Sequence, residues 1–154
     1  MYHGSSMKLQ SLPCYCATLR QAARAVTALY EEALSDGGIR STQFTILQAL
    51  EIAPNLQTTE VAQLLGIDQT TATRTLALMR KNKLAAHSIG ADRRERRWRL
   101  TRLGDAAYRR LLPKWESAQA IVERRLGRAE AANLKKMSFR AALEFSTADE
   151  NLRK

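Results

Sequence analysis

Two short clusters in the middle of this 154-residue chain carry the side chains best suited to chemistry with a polyanion. Gln69, Thr70, Thr71, Thr73 and Arg74 fall within six consecutive positions, and Arg93, Arg94, Arg96 and Arg97 within five. Glutamine can pair with adenine through two hydrogen bonds, arginine can do the same with guanine, and a threonine methyl fits against a thymine methyl. Arginine also meets phosphates and is drawn into narrow minor grooves by their negative potential. From Asp68 through Arg102, ten basic residues stand against Asp68, Asp92 and Glu95, leaving +7 of the chain's formal +10 in this one stretch. A solvated surface mixes both signs, whereas a one-signed excess gathered in one place is the footprint of a nucleic-acid partner.

The same inventory gives catalysis no foothold. The histidines are His3 and His87, and they assemble into no Ser-His-Asp set, paired-carboxylate motif or glycine-rich phosphate loop. No catalytic residue and no cofactor are assigned. Cys14 and Cys16 have no histidine near them in sequence and fall short of a zinc set, so no metal site is expected either. Their chemistry would be redox. Cys16 falls near the start of an amphipathic helix, where a thiolate is favoured, and its oxidation to a sulfenic acid could lead to capture of Cys14 of another chain or of a small thiol. Positions two apart on one helix point to different faces, which argues against a bridge between Cys14 and Cys16 of the same chain. A buried structural cysteine is the plainer alternative.

The elements that must position these residues are legible around them. Thr58 to Leu65 reads as a short helix stopped by Gly66, a residue that takes a left-handed conformation without steric cost. A second helix starts at once, capped by Asp68, with Ala72, Leu76 and Met79 as its apolar stripe. Small Ala62 lets the two approach, and the pair forms the unit that lays its second helix in a DNA major groove. Leu84 to Ser88 and Arg97 to Leu100 then read as two strands of a hairpin, Trp98 and Leu100 inward and Arg97 and Arg99 outward, with an arginine-loaded tip from Ile89 to Arg96. Elsewhere the chain is helical. Leu12, Cys16, Leu19, Ala23, Val26, Tyr30 and Ala33 mark a first amphipathic helix ending near Gly37-Gly38, and Ser41 or Thr42 opens a second that stops before Pro54. Thr101 caps a long helix that Pro113 should kink, and a last helix follows Gly127 with Leu134, Met137 and Ala141 inward. Trp115 and Met137 are assigned to packing.

With these elements in place, the run Asp92-Arg93-Arg94-Glu95-Arg96-Arg97-Trp98-Arg99-Leu100-Thr101 resembles the wing of the MarR family of winged-helix transcription regulators, and Thr101-Arg102-Leu103-Gly104 resembles the start of the helix that follows. Gly66 to Arg74 is similar to that family's recognition helix, and the similarity extends from about Leu12 to Phe145. Lys83 departs from it, standing where the family usually has glycine. The resemblance implies a helical dimer interface, a wing arginine held by Asp92, and a small anionic or phenolic effector seated between the dimer helices and the DNA-binding lobe, where Arg24 and Tyr30 could line a pocket. The first helix is also similar to that of OhrR-type organic peroxide sensors within the family. There the reactive cysteine matches Cys16 and a supporting tyrosine matches Tyr30, while Arg20 replaces a second tyrosine.

The expectation is a mainly α protein, a winged helix-turn-helix with additional N- and C-terminal dimerisation helices. Residues 1–6, ahead of a second Met, are set aside as an expression scar; residues 7–154 form a single domain, with 40–101 as the DNA-binding lobe and 12–36 and 102–146 as dimerisation helices. No apolar run spans a bilayer and no signal peptide is recognised, so no membrane partner and a cytoplasmic location are expected. The function expected is a homodimeric repressor of a pseudo-palindromic operator in double-stranded DNA, released by a small molecule or an oxidant. The alternatives are a Cys16 peroxide sensor and a non-specific architectural DNA-binding protein.

Overall fold

The computed structural model describes residues 9–146; residues 1–8, with His3 and the segment set aside above, and residues 147–154 lie outside them. The elements run α1 (Tyr15–Leu34), a single 3-10 turn, α2 (Ser41–Ile52), β1 (Leu56–Gln57), α3 (Thr58–Leu65), α4 (Gln69–Lys81), β2 (Ala85–Ile89), β3 (Arg96–Leu100), α5 (Arg102–Leu126) and α6 (Arg128–Ser146). The protein is mainly α with the expected hairpin, and the expected helix-turn-helix is α3 and α4.

One core organises the lobe that carries the basic stretch. Phe44, Ile46, Leu47 and Leu50 of α2, Val61 of α3, and Leu76 and Met79 of α4 are almost wholly buried against Leu34, Trp98 and Leu111. The packing explains the apolar spacing on each helix: three faces converge on one centre, and each side chain withdrawn from water stabilises the fold by roughly 1.5–3 kcal/mol. Phe44 stacks on Tyr108 at 5.7 Å between ring centroids, tying α2 to α5. The caps match expectation. Gly66 has φ 63°, Asp68 accepts the Thr71 N–H at 2.8 Å, and Thr101 accepts the Gly104 N–H at 3.0 Å.

Four features differ from expectation or sharpen it. The sheet has three strands in the order β1-β3-β2, because Leu56 and Gln57 pair antiparallel with Trp98 and Arg97. Two residues are too few to show an alternating period, so β1 left no pattern in the sequence. Asn55, at φ 71°, turns the chain into β1 and donates its N–H to the Trp98 carbonyl at 2.8 Å; Asn is among the few side chains that tolerate that conformation. Lys83 sits at φ 60°, so the helix end that glycine usually closes keeps its left-handed geometry with a lysine in place, and the Leu84 N–H still reaches back to the Met79 carbonyl at 2.9 Å. Finally, α5 continues as α-helix through Pro113.

The outer helices are unlike the core. Within the chain α1 buries only Leu34, and α6 buries none of its residues. Cys16, placed on an apolar stripe by its spacing, is exposed, as is Cys14. No helix among the described residues is long and apolar enough to cross a membrane.

Gly104 is the tightest point where the wing meets α5: a Cβ there would stand 1.9 Å from the Leu84 carbonyl oxygen. Backbone cannot yield as a side chain tip does. Gly104→Ala should therefore lower stability by about 1–3 kcal/mol, read as a shifted urea midpoint with the slope preserved. An unshifted midpoint would show that the β2–α5 junction is looser than described.

Candidate nucleic-acid interface

Asp68 leaves the turn after α3 in extended backbone and holds the first turn of α4 with both carboxylate oxygens, one on the Thr71 amide and one on the Thr71 hydroxyl. The hydroxyl and amide bonds keep the Asp68 carboxyl below the usual carboxylate range. Ala72, Leu76 and Met79 are 0% exposed and pin one side of α4 to the core, which turns Thr70 and Arg74 outward. Gln69 and Thr73 are exposed as well. The five predicted residues therefore divide. Thr71 donates its hydroxyl to Asp68, and Thr73 donates its own to the Gln69 carbonyl at 2.8 Å, so these two stiffen the helix start. Gln69, Thr70 and Arg74 present the polar outer face that can meet base edges.

The wing is built on β2 and β3, paired from Ala85 with Leu100 out to Ile89 with Arg96. Its tip closes through the Gly90 N–H to the Glu95 carbonyl at 3.0 Å and the Glu95 N–H to the Asp92 carbonyl at 2.9 Å. Asp92 Oδ1 accepts the Arg94 backbone N–H at 3.0 Å, a different bond from the guanidinium contact that the family resemblance implies. Arg93 and Arg94 are exposed at the tip. Arg96 reaches back, its guanidinium donating to the Arg93 carbonyl at 2.7 Å.

Arg97 sits deeper than its alternation with Trp98 predicts. Its guanidinium pairs with Glu95 and also donates to the Asn55 carbonyl, and Glu95 in turn accepts from the Gln57 side chain. Gln57 is the residue before α3, where its backbone N–H donates to Glu60 at 2.7 Å. Glu95 thus links the wing to the start of the helix-turn-helix. Sequence reasoning missed Glu95 because it counted only as a negative charge in a positive stretch; the missing signal was β1, which brings Gln57 alongside Arg97.

Of the four residues assigned to a redox or effector site, Tyr30 alone lines the cavities beside α1. Tyr30 donates its hydroxyl to Gln119 of α5 and lies between two cavities; burial pushes its phenol above the ordinary value. One cavity, of about 640 Å³, opens between α1, α5 and α6 past Leu19, Val26 and Leu134. The other, about 260 Å³, lies where α1 meets α2, beside Phe44 and Trp115. Cys16, Arg20 and Arg24 line neither of these two cavities and are exposed. Cys14 is the extended residue before α1 rather than part of it, so the opposed-faces argument against a bridge between Cys14 and Cys16 does not apply. Among the described residues no cluster of histidine, cysteine or carboxylates could hold a metal ion.

These placements separate base reading from structural support. Arg74→Ala should weaken binding to a preferred duplex by about 1–3 kcal/mol and relax the choice of base at one position, with a smaller loss on a scrambled duplex. Arg97→Ala should leave the salt dependence of binding nearly unchanged, because that guanidinium already faces Glu95, whereas Arg94→Ala should flatten it. Titrations of the three variants against both duplexes at several salt concentrations check this; a salt slope that falls as much for Arg97→Ala as for Arg94→Ala would contradict the division.

Residues 38–95, which span α2 to the wing tip, match the model of the MarR family. The M. tuberculosis transcriptional regulator MosR, solved in complex with DNA, is 34% identical, with 83% of this chain and 98% of that one aligned at a TM-score of 0.70. The transcriptional repressor CouR, bound to a 23-mer DNA duplex, shares the fold at 21% identity over 88% of this chain and 99% of that one, with a TM-score of 0.77. Bordetella bronchiseptica BpsR, described for the regulation of its DNA binding by 6-hydroxynicotinic acid, does so at 23% identity over 88% and 98%, with a TM-score of 0.74. No curated protein sequence matches the chain. A winged helix-turn-helix whose recognition helix and wing tip both turn arginine outward, and which is similar along most of its length to such a regulator, is a transcription regulator rather than an enzyme: the chain belongs to the MarR family.

Proposed function

We propose that the chain acts in the cytoplasm as a homodimeric repressor that occupies a pseudo-palindromic operator in double-stranded DNA and leaves it on a chemical signal. The observation that carries this is the pairing of one outward polar face, Gln69, Thr70 and Arg74 with the Arg93 and Arg94 wing tip, with outer helices that one protomer leaves uncovered. Leu12 and Leu19 near the start of α1 are each 49% exposed, and Met137, Phe139 and Phe145 of α6 are 51%, 65% and 75% exposed. Large apolar side chains left this exposed on α1 and α6 favour burial against a second copy of the same helices. A two-fold dimer built through residues 12–36 and 102–146 sets two recognition helices about one duplex turn apart, roughly 34 Å, and so reads a repeated half-site. In this scheme residues 7–154 work as one unit, with residues 40–101 as its DNA-binding lobe. An architectural protein would show no preference for such a repeat.

The signal enters at α1. A small anionic or phenolic molecule could occupy the cavity beside Tyr30, where a phenol, a glutamine amide and apolar walls coincide. A second possibility is organic peroxide at Cys16, supported by the exposure of both thiols at the start of the helix that would join the protomers. Either event reshapes α1, and a change in the spacing of the two recognition helices lowers affinity for a fixed operator. BpsR shows a small aromatic acid controlling DNA binding on this fold.

Sedimentation over a dilution series should give a dimer down to low micromolar protein; a stable monomer would sink the two-half-site arrangement. Operator affinity measured with a panel of phenolic carboxylates, and before and after an organic hydroperoxide, should fall in one arm only. A fall on peroxide that disappears in Cys16→Ser, with mass spectrometry locating the oxidised thiol, assigns the redox arm. A fall with a phenolic acid that disappears in Tyr30→Ala assigns the cavity. No change in either arm would remove signal-driven release.

A further inference from the structure

His87 is the one described side chain with a buried polar atom, Nδ1, that has no hydrogen-bond partner. It stands on β2 opposite Trp98, edge-on to the indole at 4.8 Å, and faces a pocket of about 410 Å³ between α4 and the wing strands. Arg80 and Lys81 enter that pocket from α4 and Arg96 from β3, with the Thr73 side chain at its edge. No carboxylate is among its lining residues. Three cations and an imidazole around an open space, with no carboxylate in its lining, leave a positive field there that no lining group relieves.

The position of the pocket says what relieves it. When α4 occupies a major groove and the wing tip the next minor groove, the sugar-phosphate strand separating those grooves must pass between them. We propose that this pocket is a phosphate seat, in which Arg80, Lys81, Arg96 and His87 grip that strand and His87 takes up a proton as the DNA binds. The inference rests on the DNA-binding function proposed above; it adds Arg80, Lys81 and His87 to the contacts assigned to base reading and to the wing, and turns Arg96 from the wing tip to this pocket.

The direction of the pH effect follows from the surroundings. Burial, then Arg80 and Arg96, holds the imidazole below its usual proton affinity, so the free protein carries His87 neutral at pH 7. A phosphate placed among the same cations reverses the field and supplies an acceptor, raising that proton affinity in the complex. Binding is then coupled to proton uptake and tightens as pH falls from 8 towards 6.

The test uses the full chain and a duplex selected by it. The parent should bind about fivefold more tightly at pH 6 than at pH 8 at constant ionic strength, below the tenfold per pH unit that one proton permits. His87→Phe keeps the ring against Trp98 without a titrating group, and should bind as the parent does at pH 8 while losing most of the gain at pH 6. NMR of the His87 ring in the parent should show its titration midpoint moving up when duplex is added. A midpoint unmoved by duplex, or a pH dependence equal in the parent and His87→Phe, overturns the phosphate seat while leaving DNA binding intact. Failure of the parent to bind any duplex would fell both proposals.

Discussion

The placement of Trp98 is the constraint on which the DNA-binding face depends. It is 5% exposed at the middle of β3, flanked by β1 and β2, and its indole N–H donates to the Thr58 hydroxyl at the start of α3 at 2.9 Å. Its backbone carbonyl accepts the Asn55 N–H, and its ring meets His87. One side chain thereby joins the wing to the helix-turn-helix and the core. A two-stranded ribbon is at best marginally stable alone, and this anchorage, with the pairing of β1, helps fix the hairpin's angle to α4. Glu95 adds a polar link between the same parts through Gln57 and Arg97. The distance between the outer face of α4 and the wing tip is consequently a property of the core, not of a mobile loop.

A rigid joint gives the charge distribution its meaning. Ten basic residues on a flexible segment would bind DNA without register, whereas here the buried stripe of α4 and the inward face of β3 decide which cations point out. Arg74, Arg93 and Arg94 are delivered to the surface; Arg97 is partly neutralised within the wing; Arg80, Lys81 and Arg96 meet around His87. The same net charge is thus divided among three separate places, the outer face of α4, the wing tip and the pocket beside His87. The outer helices are the complement of this economy: they contribute little to one protomer's core and carry the apolar surface that a second copy would cover.

Elements with many repeats of their period were legible in the sequence, and single residues whose role is set by a distant partner were not. The stripe of α4, the Asp68 and Thr101 caps, Gly66, and the inward turn of Trp98 all follow from local patterns and stand as expected. The residues of β1 are too few for any pattern, and with β1 went the Gln57–Glu95–Arg97 link, whose partners lie 38 positions apart in sequence. His87 attracted notice only as a residue without catalytic company; its position opposite Trp98 depended on knowing the strand register. The grouping of Cys16, Arg20, Arg24 and Tyr30 came from resemblance, and of the four Tyr30 alone lines the cavities beside α1. Lys83 shows the reverse case: its departure from the family's glycine leaves the helix end intact, because the Thr101 hydroxyl donates to the Lys83 carbonyl and the wing's first strand takes up the chain directly.

The measurement that bears most directly on the proposal that one helix-and-wing unit is used twice, in a dimer, is protection of bound DNA at nucleotide resolution, on fragments the protein selects from genomic DNA. Two protected half-sites related by a two-fold axis, with centres about 10 base pairs or a multiple of that apart and minor-groove protection flanking each, are the result predicted. Protection without a repeated half-site, or spread evenly along every fragment, would contradict it.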